Sequence, residues 1–160
     1  MTNDWPELLN WLTPHELAEL DSLLQPSNPY LPRTPTAKQQ QFLDATELEV
    51  LFGGAAAGGK SVALLMAAAQ YVHVPGYAAL ILRRSRADLG LPGGLIDRSR
   101  EWWEGKARWN GSTYRWTFPS GAVVQFGYCD HRGDEYRYKS SEFQFIGFDE
   151  LTEFEEEPYR

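Results

Sequence analysis

Three stretches of the sequence predict an α/β fold with a mainly parallel sheet flanked by helices. Residues 48–52 are a short apolar run that feeds a glycine-rich turn, and a helix-forming run begins at Val62. Residues 77–83, from Tyr77 to Arg83, are apolar on both faces, as a strand inside a helix-covered parallel sheet must be. Residues 143–150 read as a hydrophobic strand ending in two adjacent carboxylates, Asp149 and Glu150. Strand, helix and strand in this order predict a right-handed βαβ unit.

The glycine-rich turn carries the first chemistry. Gly54, Ala55, Ala56, Ala57, Gly58, Gly59, Lys60 and Ser61 satisfy the pattern G-x-x-x-x-G-K-[ST], with the predicted strand before it and the predicted helix after it. A polyphosphate is wrapped there by main-chain N–H groups, and side chains larger than a methyl would hold the backbone away. Lys60 can reach the β and γ phosphates as a mobile point charge, and the Ser61 hydroxyl can ligate Mg²⁺ at the helix start. The helix N-terminus adds partial positive charge. This is the pattern of a site for ATP with Mg²⁺. The plain alternative is a Gly/Ala-rich turn that binds nothing.

With 160 residues, 42% hydrophobic and 14% aromatic, the chain has the length and composition of one globular domain with a real core. A net charge of −7 argues against nucleic-acid binding by bulk electrostatics. Local charge differs: residues 1–32 hold five acids and no Lys or Arg, whereas residues 83–108 hold seven bases against four acids. A polyanion contact belongs in that middle stretch. Cys129 is the sole cysteine, which excludes an internal disulfide and fits a reducing cytosol. The start Met-Thr-Asn-Asp-Trp-Pro lacks the regions of a signal peptide, and residues 62–82 are too interrupted to span a bilayer. A cytoplasmic protein with no membrane partner is expected.

Along the chain, residues 1–33 read as a helical preface and a proline-rich connector, and residues 34–160 as part of an ATPase domain. Thr13, Pro14 and Glu16 form a capping box for a helix to about Gln25, with Leu17, Leu20, Leu23 and Leu24 on one face. Pro26, Pro29, Pro32 and Pro35 keep the next stretch extended. A short helix starts near Ala37. A glutamine in it, with Gln39 the candidate, can bond both edges of an adenine, and three glutamines equally suit a solvated helix face. The helix after Ser61 should reach Val74, where Pro75-Gly76 stops it. Arg83, Arg84 and Arg86 lie at the C-terminal end of the second strand, where arginines can touch a γ-phosphate or a nucleic-acid phosphate, or simply form a solvated basic turn. Residues 89–103 contain a helix. Residues 114–118 and 124–128 alternate around Pro119-Ser120-Gly121, predicting an inserted β-hairpin. Residues 129–142 are polar and turn-like, with no chemistry assigned.

At the end of the acid-bearing strand, Asp149 and Glu150 point to opposite sides, so only one can face a metal. Asp149 is assigned to Mg²⁺ and Glu150 to activation of the attacking water as general base, with Lys60 assisting catalysis. A strand ending in solvated acids is the competing reading.

Together, the glutamine-bearing segment 35–42, the loop 53–61, the strand 80–84, the hairpin Trp116-Thr-Phe-Pro-Ser-Gly121 and the end Ile146-Gly-Phe-Asp149-Glu150-Leu-Thr-Glu resemble the ATPase region of large terminase subunits, the DNA-packaging motors of tailed bacteriophages. The resemblance covers about residues 34–160. It implies a P-loop NTPase that hydrolyses ATP to move double-stranded DNA, with the small terminase subunit and the portal protein as partners and a homo-oligomer when full length. The loop has alanines where many members carry an arginine. The resemblance further implies that later ATPase strands and a nuclease domain are missing here. In this class a later strand lies between the phosphate-loop strand and the acid-bearing one, so the sheet is expected to be incomplete at its C-terminal side. A helicase-like ATPase and a non-catalytic prophage remnant are the alternative readings.

Overall fold

The computed structural model describes residues 12–17, 28–54 and 59–154. The Thr13 capping box is formed, Thr13 N and Oγ1 donating to Glu16 Oε2 at 2.8 and 2.7 Å, and residues 14–17 are helical. Leu20, Leu23 and Leu24 lie outside the described residues, as do Ala55, Ala56, Ala57 and Gly58 of the loop.

Helix α1, Ala37–Leu43, starts at a second capping box: Thr36 Oγ1 accepts from Gln39 N, and Gln39 Oε1 accepts from Thr36 N. Helix α2, Lys60–Ala69, is a run of strong helix formers, and all its residues from Val62 to Ala69 except Leu64 are buried. It ends five residues before Val74. Gln70, Val72 and Val74 donate only to the third residue back, tightening the chain into turns before Pro75, and Gln70 Nε2 is tied to Leu43 O.

Strand β1, Ala78–Arg83, is the centre of a mixed five-stranded sheet of order β2-β3-β4-β1-β5. One turn of helix, α3 (Arg86–Leu89), and helix α4 (Leu95–Trp103) separate it from β2 (Arg108–Asn110), β3 (Arg115–Thr117) and β4 (Val123–Tyr128). β4 runs parallel to β1 on one side and β5, Phe145–Phe148, parallel on the other. β2 and β3 extend the sheet antiparallel from β4.

Two expectations are corrected here. The hairpin is not an insertion, because its second strand is the direct neighbour of β1. Residues 48–52 do not form a strand, and no βαβ unit joins them to β1 within the described residues. A strand needs a ladder partner, and this segment has none among the described residues: Leu48 and Leu51 are fully or mostly exposed, while Phe52 packs against Phe42 at 5.0 Å.

The main core lies between α2, α4 and one sheet face. Its aromatic centre is Trp103, which meets Trp116 and Phe118 edge-on at 5.8 and 5.3 Å. Trp116 Nε1 donates to Ser99 Oγ, which donates on to Ile96 O, so these two buried polar groups are satisfied. The connector packs onto this core rather than standing apart: Trp103 Nε1 donates to Tyr30 O at 3.0 Å, and Asn28 Nδ2 to Ala69 O at 2.9 Å. On the opposite sheet face, Leu80, Leu82 and Cys129 are covered by Tyr138, Phe143, Phe148 and Phe154. No helix among the described residues is long and apolar enough to cross a membrane.

Candidate functional site

The register of β1 with β5 builds the site. Leu82 pairs with Phe148, so the next residues, Arg83 and Asp149, emerge side by side at the C-terminal edge of two parallel strands. They lie on the sheet face that α2 covers. The close crossing of α2 depends on Gly147, where a Cβ would meet Leu64 Cδ1 at 2.6 Å. It brings Ser61 within reach: Ser61 Oγ donates to Asp149 Oδ1 at 2.9 Å across 88 residues of sequence. Arg83 Nη1 stands 3.3 Å from Asp149 Oδ2. That contact is electrostatic, because Arg83 Nη1 has no aligned hydrogen-bond partner.

Asp149 is 5% exposed, and Glu150, one residue on, is exposed. The two acids thus differ in burial, although both follow the end of β5 and the strand alternation expected of them does not extend to Glu150. Burial raises the Asp149 carboxyl above its ordinary value; the Ser61 hydroxyl and the Arg83 and Lys60 charges pull it down, while Glu150 adds to the rise. Glu150 takes a left-handed backbone conformation, φ 55 and ψ 55, and opens the 3₁₀ turn Leu151–Glu153.

The other predicted residues fall around this pair. Gly59 caps α2 with φ 76, a conformation that favours glycine, and a Cβ there would lie 2.9 Å from Gln39 Nε2. Gln39 is 6% exposed and spends its amide internally, Nε2 donating to Gly59 O at 3.1 Å and Oε1 accepting from Thr36 N. In this arrangement it braces the loop's C-terminal end, and an adenine contact would require those bonds to be exchanged. Lys60 Nζ donates to Gly54 O at 3.2 Å, which folds the lysine back along the loop. Of the three arginines, only Arg83 joins the site. Arg84 Nη1 donates to the carbonyls of Cys129 and Asp130, and Arg86 Nε donates to Tyr114 OH at 3.2 Å.

The Arg83–Asp149 pair was not foreseen from the sequence. Both residues follow strands of one parallel sheet, so the signal existed, but only the register makes them neighbours. A hydroxyl and a carboxylate joined at one point are hard oxygen donors of the kind Mg²⁺ takes from proteins, so Ser61 and Asp149 fit that ion. Comparison with known protein families, curated proteins and solved structures finds no match.

Proposed function

We propose that the chain is the nucleotide-binding part of a P-loop ATPase of the large-terminase type, which moves double-stranded DNA, with the small terminase subunit and portal protein as partners. The observation that carries this reading is the Ser61–Asp149 hydrogen bond, because it unites the two motifs that phosphate-loop enzymes use together. Gly54, Gly59 and Lys60 bind the phosphates of ATP, Ser61 and Asp149 hold Mg²⁺, and exposed Glu150 orients and deprotonates the attacking water. The metal supplies charge neutralisation at the phosphates. Arg83 works against the burial that raises the Asp149 carboxyl, and its guanidinium is placed to contact phosphate when the pair opens. In the bacterial cytoplasm, several copies would share the work on one duplex.

A second reading, nucleotide binding without turnover, is favoured by one observation: residues 48–52, which lead into the loop, have no strand partner among the described residues. One experiment separates the two. ATP binding and Mg²⁺-dependent turnover are measured on the chain and on Lys60→Ala and Glu150→Ala variants. Lys60→Ala should weaken ATP binding by about 10- to 100-fold, the worth of a charge-assisted hydrogen bond. Glu150→Ala should bind normally and lose about 10²- to 10⁴-fold in turnover. Binding that ignores Lys60 would sink both readings; Lys60-dependent binding with no turnover in the unaltered chain selects the second.

A further inference from the structure

Both oxygens of the Asp149 carboxylate are engaged inside the fold. Oδ1 accepts from Ser61 Oγ at 2.9 Å, and Oδ2 faces Arg83 Nη1 at 3.3 Å. The sheet fixes the backbones behind this contact. Asp149 N donates to Leu82 O and Cys129 N to Arg83 O, so β5 and β4 grip the end of β1 from either side. Arg84, the next residue, turns instead to the carbonyls of Cys129 and Asp130, which leaves Arg83 as the guanidinium at the carboxylate.

A metal ion and this guanidinium compete for one place. Mg²⁺ binds oxygen at about 2.1 Å, so an ion on Oδ2 would lie no more than about 5.4 Å from Nη1. At that separation a unit charge weakens the binding of a divalent cation by at least about tenfold, even at the dielectric of water. Lys60 acts on Asp149 with the same sign as Arg83. Two positive groups thus balance the carboxylates of Asp149 and Glu150, and a bare divalent cation meets no net attraction. A metal bound to a polyphosphate carries net negative charge and is drawn in by both. The pair is also built to open. Arg83 Nη1 makes no aligned hydrogen bond, the two-pronged guanidinium geometry is unused, and the side chain stays 20% exposed.

We infer that Arg83 holds the place of the metal: it shuts free divalent cations out of the Ser61–Asp149 site and yields only to a metal that arrives with the polyphosphate. The inference rests on the reading of this site as that of a Mg²⁺-dependent ATPase. On exchange the guanidinium passes from carboxylate to phosphate oxygens, which its planar fork matches. A fixed pair that only neutralises a buried carboxylate would stay closed when nucleotide binds.

The test follows Mn²⁺ binding, without nucleotide, by the loss of the free ion's electron paramagnetic resonance signal at about pH 8, where carboxylates are ordinarily ionised. The unaltered chain is compared with Arg83→Gln, Arg83→Lys and Arg83→Gln/Asp149→Asn. Arg83→Gln should bind Mn²⁺ at least about tenfold more tightly than the unaltered chain. Arg83→Lys should stay weak, because the charge remains, and the double variant should lose the gain, which places the ion at Asp149. Mn²⁺ should also raise the melting temperature of Arg83→Gln and leave that of the unaltered chain in place. On the unaltered chain, which needs no variant to fold, the NMR signal of Arg83 Nε–H should stay put in millimolar Mg²⁺ and move when ATP accompanies the ion. Equal Mn²⁺ affinity in the unaltered chain and Arg83→Gln, a gain that survives Asp149→Asn, or a signal that moves with Mg²⁺ alone overturns the inference. So does a signal that Mg²⁺ with ATP leaves unmoved although ATP binds through Lys60, which would make the pair a fixed neutralising contact. ATP binding that ignores Lys60 fails the ATPase reading and the nucleotide half of the inference with it, whereas the nucleotide-free comparison tests the exclusion of metal on its own.

Discussion

Glu150 holds a left-handed backbone conformation that costs a non-glycine residue about 1 kcal/mol. Its side chain is exposed, so no packing inside the fold offsets that strain. Glu150→Gly should therefore raise the stability of the chain by about 1 kcal/mol in urea unfolding while removing turnover, a combination expected of a catalytic group and not of an idle strand end. Tyr77 gives a second residue-level expectation. Its hydroxyl is shielded without a partner, and burial, then the neighbouring Tyr71, pushes its phenol far above the usual value. A group whose folded value is raised contributes stability below its ordinary value and loses it as pH rises toward the folded one. Melting temperature should fall as pH climbs above about 10, and Tyr77→Phe should flatten that fall. At neutral pH the same change should be neutral or stabilising by up to about 1 kcal/mol, since an unmade hydrogen bond disappears.

At the scale of elements, the crossing of α2 over β5 decides whether the site exists. An alanine at Gly147 would press on Leu64 Cδ1 and Cγ and on Phe145 Cε1, at 2.6, 3.1 and 3.0 Å. Gly147→Ala should cost about 1–3 kcal/mol by overpacking, and adding Leu64→Ala should return part of the loss, as denaturation midpoints would show. Which elements could be read in advance follows the physics of each. β1 was legible because burial on both faces leaves a continuous apolar run, and β5 because Phe145, Ile146 and Phe148 are apolar even though Ile146 is exposed. The hairpin of β3 and β4 was legible from its alternation around Pro119-Ser120-Gly121. β2 was not, since Arg-Trp-Asn offers three residues and one apolar side chain, too few for a period. Residues 48–52 look like a strand locally, but strand formation is a property of a pair, and their partner is not among the described strands.

For the molecule as a whole, two adjacent acids after an apolar run were readable from the sequence, whereas the burial of Asp149, the left-handed turn at Glu150 and the ion pair with Arg83 needed the sheet order and its edge. Gln39 shows the limit of composition: its amide was readable as a two-sided hydrogen-bonding group, but that it braces Gly59 depends on how α1 meets α2. Among the described residues nothing pairs the outer edge of β5, and Ile146 stands 51% exposed on it. An open apolar edge recruits other strands. Sedimentation of the chain should show association that grows with concentration, and Ile146→Lys should suppress it.

The central position of β1 also has a consequence for the order in which the protein comes into being. Both neighbours of β1 are made long after it, β4 beginning 40 residues past its end and β5 62 residues past it. A growing chain on the ribosome therefore carries its most apolar strand with neither flank covered, and Ser61 is synthesised well before the carboxylate it will hold. Non-local pairing of this kind folds slowly. A nascent chain halted before Phe145 would hold the glycine-rich turn and four of the five strands, with no Asp149 to meet Ser61.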